Sequence, residues 1–266
     1  MAGQIRIGCS GWMYAHWRRR FYPEKLPARE HFGYYAQHFD TVELNNSFYR
    51  QPPLERFSTW REQAPPGFLF AVKGSRYVTH IKRLAVEQKS IDLVVEPALG
   101  LQDKLGPILF QLQANFHLDL DRLTKFVDML PPDLRVTMEF RHDSWLVASV
   151  FELLRGRQIA LCIPDHPKLP KRFEITADFT YIRMHLPQHG LGYGKRELEP
   201  WADRLREWQS LDLDAFVYFN NDMEGHAVRD AASLQKLLGL RLATDRNWRE
   251  GRDSNPGSGL KARSSA

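Results

Sequence analysis

Cysteine is almost missing from the chain: 266 residues hold two, Cys9 and Cys162, each inside an apolar strand-like run. Two thiols so placed exclude a disulfide framework, and with no CxxC or Cys/His cluster they offer no zinc site. No apolar run approaches the ~18 residues that span a bilayer, so no membrane segment is expected. The N-terminal MAGQIRIGCSGW has no basic segment followed by an apolar stretch. No secretion signal is therefore expected, and a cytoplasmic protein is. Neither GxGxxG nor GxxxxGK[ST] follows any strand-like run, which argues against dinucleotide and P-loop folds. HxH and HExxH pairs are absent as well. Net charge is small for the body of the chain: of the formal +5, six basic and three acidic residues after Leu240 carry three. The basic pI of 9.2 is thus a weak argument for nucleic acid binding. Residues 241–266, ending GRDSNPGSGLKARSSA, read as a disordered basic tail outside the fold.

What the chain does contain is alternation. Strand-like runs QIRIGCS, DTVELN, FLFAVK, GPILFQL, RVTMEF, QIALCI, TYIRMH and AFVYFN are separated by amphipathic stretches such as AREHFGYYAQHF, PLERFSTWREQA, DLDRLTKFVDML and GHAVRDAASLQKLLGL. Eight units of roughly 30 residues each are the size of βα repeats. Such alternation predicts an α/β fold with a parallel sheet under helices, and eight repeats predict a single (β/α)8, TIM-like barrel over residues 1–240. The segment 80–104 looks least regular, and the long connection 165–179 reads as a lid or an insertion.

In such a barrel the active site lies at the C-terminal strand ends, and period-two alternation decides which side chains reach it. With Val42 and Leu44 outward, Thr41, Glu43 and Asn45 face the axis. On RVTMEFR, Val136, Met138 and Phe140 point out while Thr137, Glu139 and Arg141 point in. On TYIRMH, Tyr181, Arg183 and His185 point in. Lys73, Gln111 and Asn220 end three further strands on the inward side; Pro164 interrupts the pattern before Asp165. A ring of Glu43, Lys73, Glu139, Arg141, Arg183 and His185 is costly to bury unless its members are paired or bind something.

These residues predict an enzyme for a small polar ligand, anionic or sugar-like. Arg141, Arg183 and Lys73 would hold phosphate or carboxylate oxygens. Glu43 and Glu139 would be an acid/base pair, with His185 and Asp165 as further proton carriers. Asn45, Ser47, Tyr49, Gln111, Trp145, Tyr193, Asn220 and Trp12 would line the pocket. Asn220 and Asn221 have an alternative reading as caps of the following helix. No cofactor is expected. A divalent metal on Glu43, Glu139, Asp165 and His185 is the lower-ranked version, because neighbouring arginine and lysine repel a cation. A non-catalytic alternative is a metabolite sensor or a single-stranded nucleic acid binder stacking bases on Trp12, Tyr14, Trp17, Tyr49 and Trp145, which the weak body charge disfavours. Oligomeric state has no signature in the sequence.

Several multi-residue motifs occur in one order: IGCSGW (7–12), FYP (21–23), VELNNSFYRQP (42–52), FAVK (70–73), KLGPILFQL (104–112), EFRHDSW (139–145), YIRMH (181–185) and YFNND (218–222). In these the chain resembles the YecE-like family, known as domain of unknown function 72, over about residues 4–238. The resemblance implies a TIM barrel without an established activity; an older label relating the family to sugar isomerases is fold-level analogy. Three positions depart from the family pattern: Gln113 stands for a usual proline, Leu186 for a glycine and Asp230 for an asparagine.

Overall fold

A computed structural model describes residues 2–240, and the expected tail, 241–266, lies outside the described residues. Eight parallel strands close into one barrel in sequence order: β1 (Ile5–Cys9), β2 (Thr41–Leu44), β3 (Leu69–Lys73), β4 (Leu105–Gln111), β5 (Val136–Glu139), β6 (Ile159–Asp165), β7 (Phe179–Met184) and β8 (Asp214–Phe219). Around them run α1 (His31–Ala36), the one-turn α2 (Asn46–Tyr49), α3 (Leu54–Gln63), α4 (Gln88–Ala98), α5 (Leu120–Asp128), α6 (Ala148–Gly156), α7 (Lys195–Ser210) and α8 (His226–Leu237).

Strand alternation sorts the apolar side chains into two separate clusters. Val42, Phe70, Ile108, Met138, Ile182 and Val217 belong to the large core between barrel and helices. Ala71, Leu109, Ala160, Cys162, Phe179, Tyr181, Phe216 and Tyr218 fill the barrel interior. The separation fixes the register, since a slip by one residue would exchange the two sets. Both cysteines are free and buried.

The helices form where apolar spacing and end signals agree. In α5, Leu123, Phe126 and Val127 are buried, and Asp119 caps the start by accepting from Arg122 N at 3.0 Å. α3 begins after Pro53 and ends just before Pro65 and Pro66, where helix cannot continue.

The segment 80–104 contains one regular helix, α4, where Ile91, Val94, Val95 and Ala98 put a buried stripe at helical spacing; around it the backbone is irregular as expected, with Arg83, Leu84 and Gln102 at positive φ. The connection 165–179 is the β6–β7 crossover, without a helix, and it starts at the mouth, where the His166 ring lies 6.5 Å from that of His185. Thr176, near its end, takes Leu161 N at 2.8 Å and donates to Ile159 O at 2.6 Å.

The seam between β1 and β2 is the thinnest. One residue pair, Cys9 with Val42, joins them, against five pairs between β1 and β8. The buried Tyr35 hydroxyl of α1 fills the gap, accepting from Cys9 N at 2.8 Å and donating to Thr41 O at 3.0 Å. A side chain at Gly8 would meet Thr41 O at 2.1 Å, so glycine alone permits that approach.

Candidate active site at the barrel mouth

Three strands deliver a buried ion cluster to the C-terminal end of the barrel. Glu43 of β2 and Glu139 of β5 are fully buried, and Arg183 of β7 lies between them at 1% exposure. One terminal nitrogen of Arg183 donates to Glu43 Oε1 at 2.8 Å and the other to Glu139 Oε2 at 2.7 Å. Glu43 also accepts from Ser10 Oγ and Tyr181 Oη, each at 2.7 Å. Glu139 also accepts from Arg141 Nε at 2.7 Å.

These contacts decide the carboxylates' charge. Burial alone would push the Glu43 carboxyl up, but Arg183, Lys73 and Tyr181 outweigh it and hold it below its ordinary value. For Glu139 burial is again opposed, by Arg183, Arg141 and His185, and the carboxyl is held well below the usual range. Both are anions at neutral pH, ringed by donors.

Above the cluster the mouth is half open. Arg141 is 27% exposed at its side chain, and with Nε given to Glu139 its two terminal nitrogens have no partner among the described residues. Asn220 Nδ2 donates to His185 Nδ1 at 3.0 Å, which places the proton of the neutral ring on Nε2. That Nε2 stands 3.5 Å from Glu139 Oε1, too far for a full hydrogen bond. Burial and then Arg183 lower the His185 pKa, so the imidazole is neutral. Lys73 ends β3 with its ammonium 4.3 Å from the Phe48 ring centroid.

The structure thus brings Glu43, Glu139, Arg141, Arg183, His185, Asn220 and Lys73 to one opening. Gln111 joins them, buried on β4 in register with Glu139. Asn45 is beside the cluster, donating to Ser10 O at 3.2 Å with its own oxygen buried and unpartnered.

Other expected site residues lie elsewhere. Asp165 points away from the axis, because Pro164 takes the inward position; its carboxylate is held by Lys171 and by Trp201 Nε1 of α7. Trp145 is fully buried, stacked on Phe140 and donating to Phe116 O. Trp12 packs against Phe32 and Trp60 in the core. Ser47 is buried and spends its hydroxyl on Leu44 O and Lys73 O, tying the ends of β2 and β3. Tyr193 is buried with its hydroxyl on Asp165 O. Asn221 is no cap; it donates to Leu191 O and to Asp230 Oδ2. Tyr49 is 81% exposed on α2. Of the five aromatics expected to stack bases, Trp12, Trp17 and Trp145 are buried and cannot do so.

His80 is a site residue that sequence reasoning missed. It sits on a single π-type turn after β3 (Tyr77–Ile81), edge-on to Phe48 at 4.9 Å. Burial, Lys73 and Arg141 lower its pKa to about 4. Strand alternation does not reach a turn, so no periodic signal pointed to it. Ser10 and Tyr181 were also passed over as site residues. Tyr181 was legible, two positions before Arg183 on the same face. The four-residue ligand set for a metal does not converge, since Asp165 faces outward. Among the described residues no three His, Cys, Asp or Glu side chains come together as a metal would need.

A (β/α)8 barrel with a charged, half-open mouth is the class that fold and site define. The sequence model of the family described as "Protein of unknown function DUF72" matches residues 6–252, and the chain belongs to that family. UPF0759 protein YunF of Bacillus subtilis is 25% identical over 272 residues, covering 89% of this chain and 95% of that protein. UPF0759 protein YecE of Escherichia coli is 27% identical over 77% of this chain and 82% of its own length. A DUF72 family protein from Thermotoga maritima has a solved structure that superposes with a TM-score of 0.78 at 28% identity, covering 89% of this chain and 99% of that one. D-psicose 3-epimerase from Clostridium cellulolyticum shares the fold alone, with a TM-score of 0.53 at 10% identity, covering 92% of this chain and 98% of that one. No helix among the described residues is long and apolar enough to cross a membrane.

Proposed function

We propose that the barrel mouth is an active site for a small anionic or sugar-like molecule. Arg141 and Lys73 attract its anionic group, and the free fork of Arg141 binds it. The observation that carries this reading is a charge imbalance. Two glutamates face three cations, Arg183, Arg141 and Lys73, and the surplus positive charge sits on the half-exposed side. A half-buried cation without a counter-charge is unfavourable, and an arriving anion relieves it. The free fork of Arg141 has the geometry for two oxygens of one phosphate or carboxylate.

Glu43 and Glu139 enter this reading as fixed anions rather than as proton carriers. Each is surrounded by donors that hold it ionised, and together they position Arg183 and Arg141. His185 has a neutral ring whose Nδ1 is committed to Asn220 and whose Nε2–H is buried facing Glu139, so it shapes the wall of the site rather than carrying a proton.

Thermal unfolding with inorganic phosphate or a sugar phosphate, compared with sodium chloride at equal ionic strength, tests the reading. At ten times Kd a bound anion adds about 1.4 kcal/mol, or roughly 3–5 °C in a domain of this size. The shift is expected in wild type and absent in Arg141→Ala. Equal shifts in both proteins, or none beyond the chloride control, overturn it.

A further inference from the structure

The cations of the mouth are not used alike. Arg183 and Arg141 each donate to a glutamate, whereas Lys73 has no hydrogen-bond or ion-pair partner among the described residues. Its main chain is fixed, since Ser47 Oγ donates to its carbonyl at 2.6 Å. Its ammonium lies against the face of Phe48, and the neutral His80 meets the same ring edge-on. Amine, phenyl ring and imidazole thus form one wall of the opening. The charged groups that face the amine are Glu43 on the adjacent β2, Glu139 and Arg141 at the end of β5, and Arg183 on β7.

We propose that Lys73 is a nucleophilic amine that captures the carbonyl carbon of an anionic aldehyde or ketone as a Schiff base. The inference rests on the anion site proposed above and names the substrate class for it. A lysine serving only as an electrostatic anchor is best left solvated and fully protonated; this one is half-buried against a ring. Burial and the neighbouring Arg183, partly offset by Glu43 and Glu139, bring its pKa down to about 8. About one amine in ten is then free base at pH 7, against well under one in a thousand for an ordinary lysine.

The chemistry balances with groups already present. The Nζ lone pair forms the C–N bond as the carbonyl π pair moves to oxygen. A proton then passes from nitrogen to that oxygen, directly or through solvent, giving a neutral carbinolamine. A second proton, from solvent, lets the oxygen leave as water while nitrogen's lone pair forms the C=N bond. The product is a protonated imine on Lys73, with one water released. Arg141 holds the substrate's anionic group throughout.

The test is reductive trapping of the full wild-type chain at pH 7. Dihydroxyacetone phosphate, or neutral dihydroxyacetone, is added with borohydride, and adducts are mapped by peptide mass. Lys73 is expected to be labelled at least ten-fold faster than the exposed Lys195, and only with ketone and reductant together. The phosphate-bearing ketone is expected to label at a ten-fold lower concentration than the neutral one, and Arg141→Ala is expected to lose that preference. Labelling of Lys73 no faster than Lys195 with both ketones overturns the proposal. If phosphate still stabilises the protein through Arg141 in that case, the anion site stands and only the nucleophile falls. Selective labelling of Lys73 with no phosphate preference supports the nucleophile and overturns the anion site.

Discussion

The ends of β2, β5 and β7 and the end of β3 face the same opening, yet they are built on opposite terms. At the first three the buried charges are matched to one another: Glu43 and Glu139 both accept from Arg183, and each accepts from at least one further side chain. At the fourth, Lys73 and His80 are half-exposed, and the amine is unpaired. The saturated side resists change, because loss of one partner strands a buried charge. The unsaturated side keeps its pKa values displaced and its groups free to react. Strong charge at a barrel mouth is therefore not a single signal; what distinguishes architecture from chemistry is whether each charge already has its partner.

The sharpest way to break that comparison is Arg183→Met. It leaves two buried carboxylates facing each other, and a loss of about 3–5 kcal/mol or outright failure to fold is expected in urea titrations. A loss below about 1 kcal/mol would mean the cluster is not sealed. Glu139→Gln comes next, expected at about 1–3 kcal/mol because the amide still fills the space but leaves an unmatched charge. The same variant tests the pH dependence. A carboxyl held below its unfolded value of 4.5 contributes fully above pH 4.5, and that contribution is lost as pH falls from there through the folded pKa. Wild type should thus lose stability on acidification below pH 4.5, and Glu139→Gln should lose it less steeply.

On the open side the expected stability effects shrink while the functional ones grow. Arg141→Ala should cost no more than about 1 kcal/mol, its guanidinium being partly solvated, but should abolish the phosphate response. Lys73→Met should carry no stability cost at neutral pH, since it removes an amine whose charged form the fold disfavours. Because the Lys73 pKa is lowered in the fold, the unfolded chain binds more protons between pH 8 and about 10, so wild type gains stability as pH rises through that window. Lys73→Met should lack that gain, as chemical denaturation at pH 8 and 9.5 would show. An equal gain in both proteins would mean the amine is ordinary.

Most of the saturated side was legible in the sequence. A carboxylate between Val42 and Leu44, and another between Met138 and Phe140, can point only toward the axis once the flanking residues are outward, so Glu43, Glu139 and Arg183 followed from alternation alone. Who pairs with whom did not follow, since that depends on how β2, β5 and β7 face one another across the barrel. Alternation also failed at its own boundary: Pro164 occupies the inward position and turns Asp165 out to Trp201. Aromatic residues misled for a different reason. Trp12 and Trp145 follow the first and fifth strands as pocket residues would, but a large ring also seals a core, and composition does not separate the two. His80 was invisible because a π-type turn has no period shared with strand or helix.

The uneven seam of β1 also governs when the barrel can form. Its single pairing with β2 and five with β8 mean that the first strand made is held mainly by the last, more than 200 residues later. During synthesis β1 emerges long before its main partner exists. Ring closure therefore waits for β8, and a chain stopped before β8 would carry an open curved sheet with two unpaired edges.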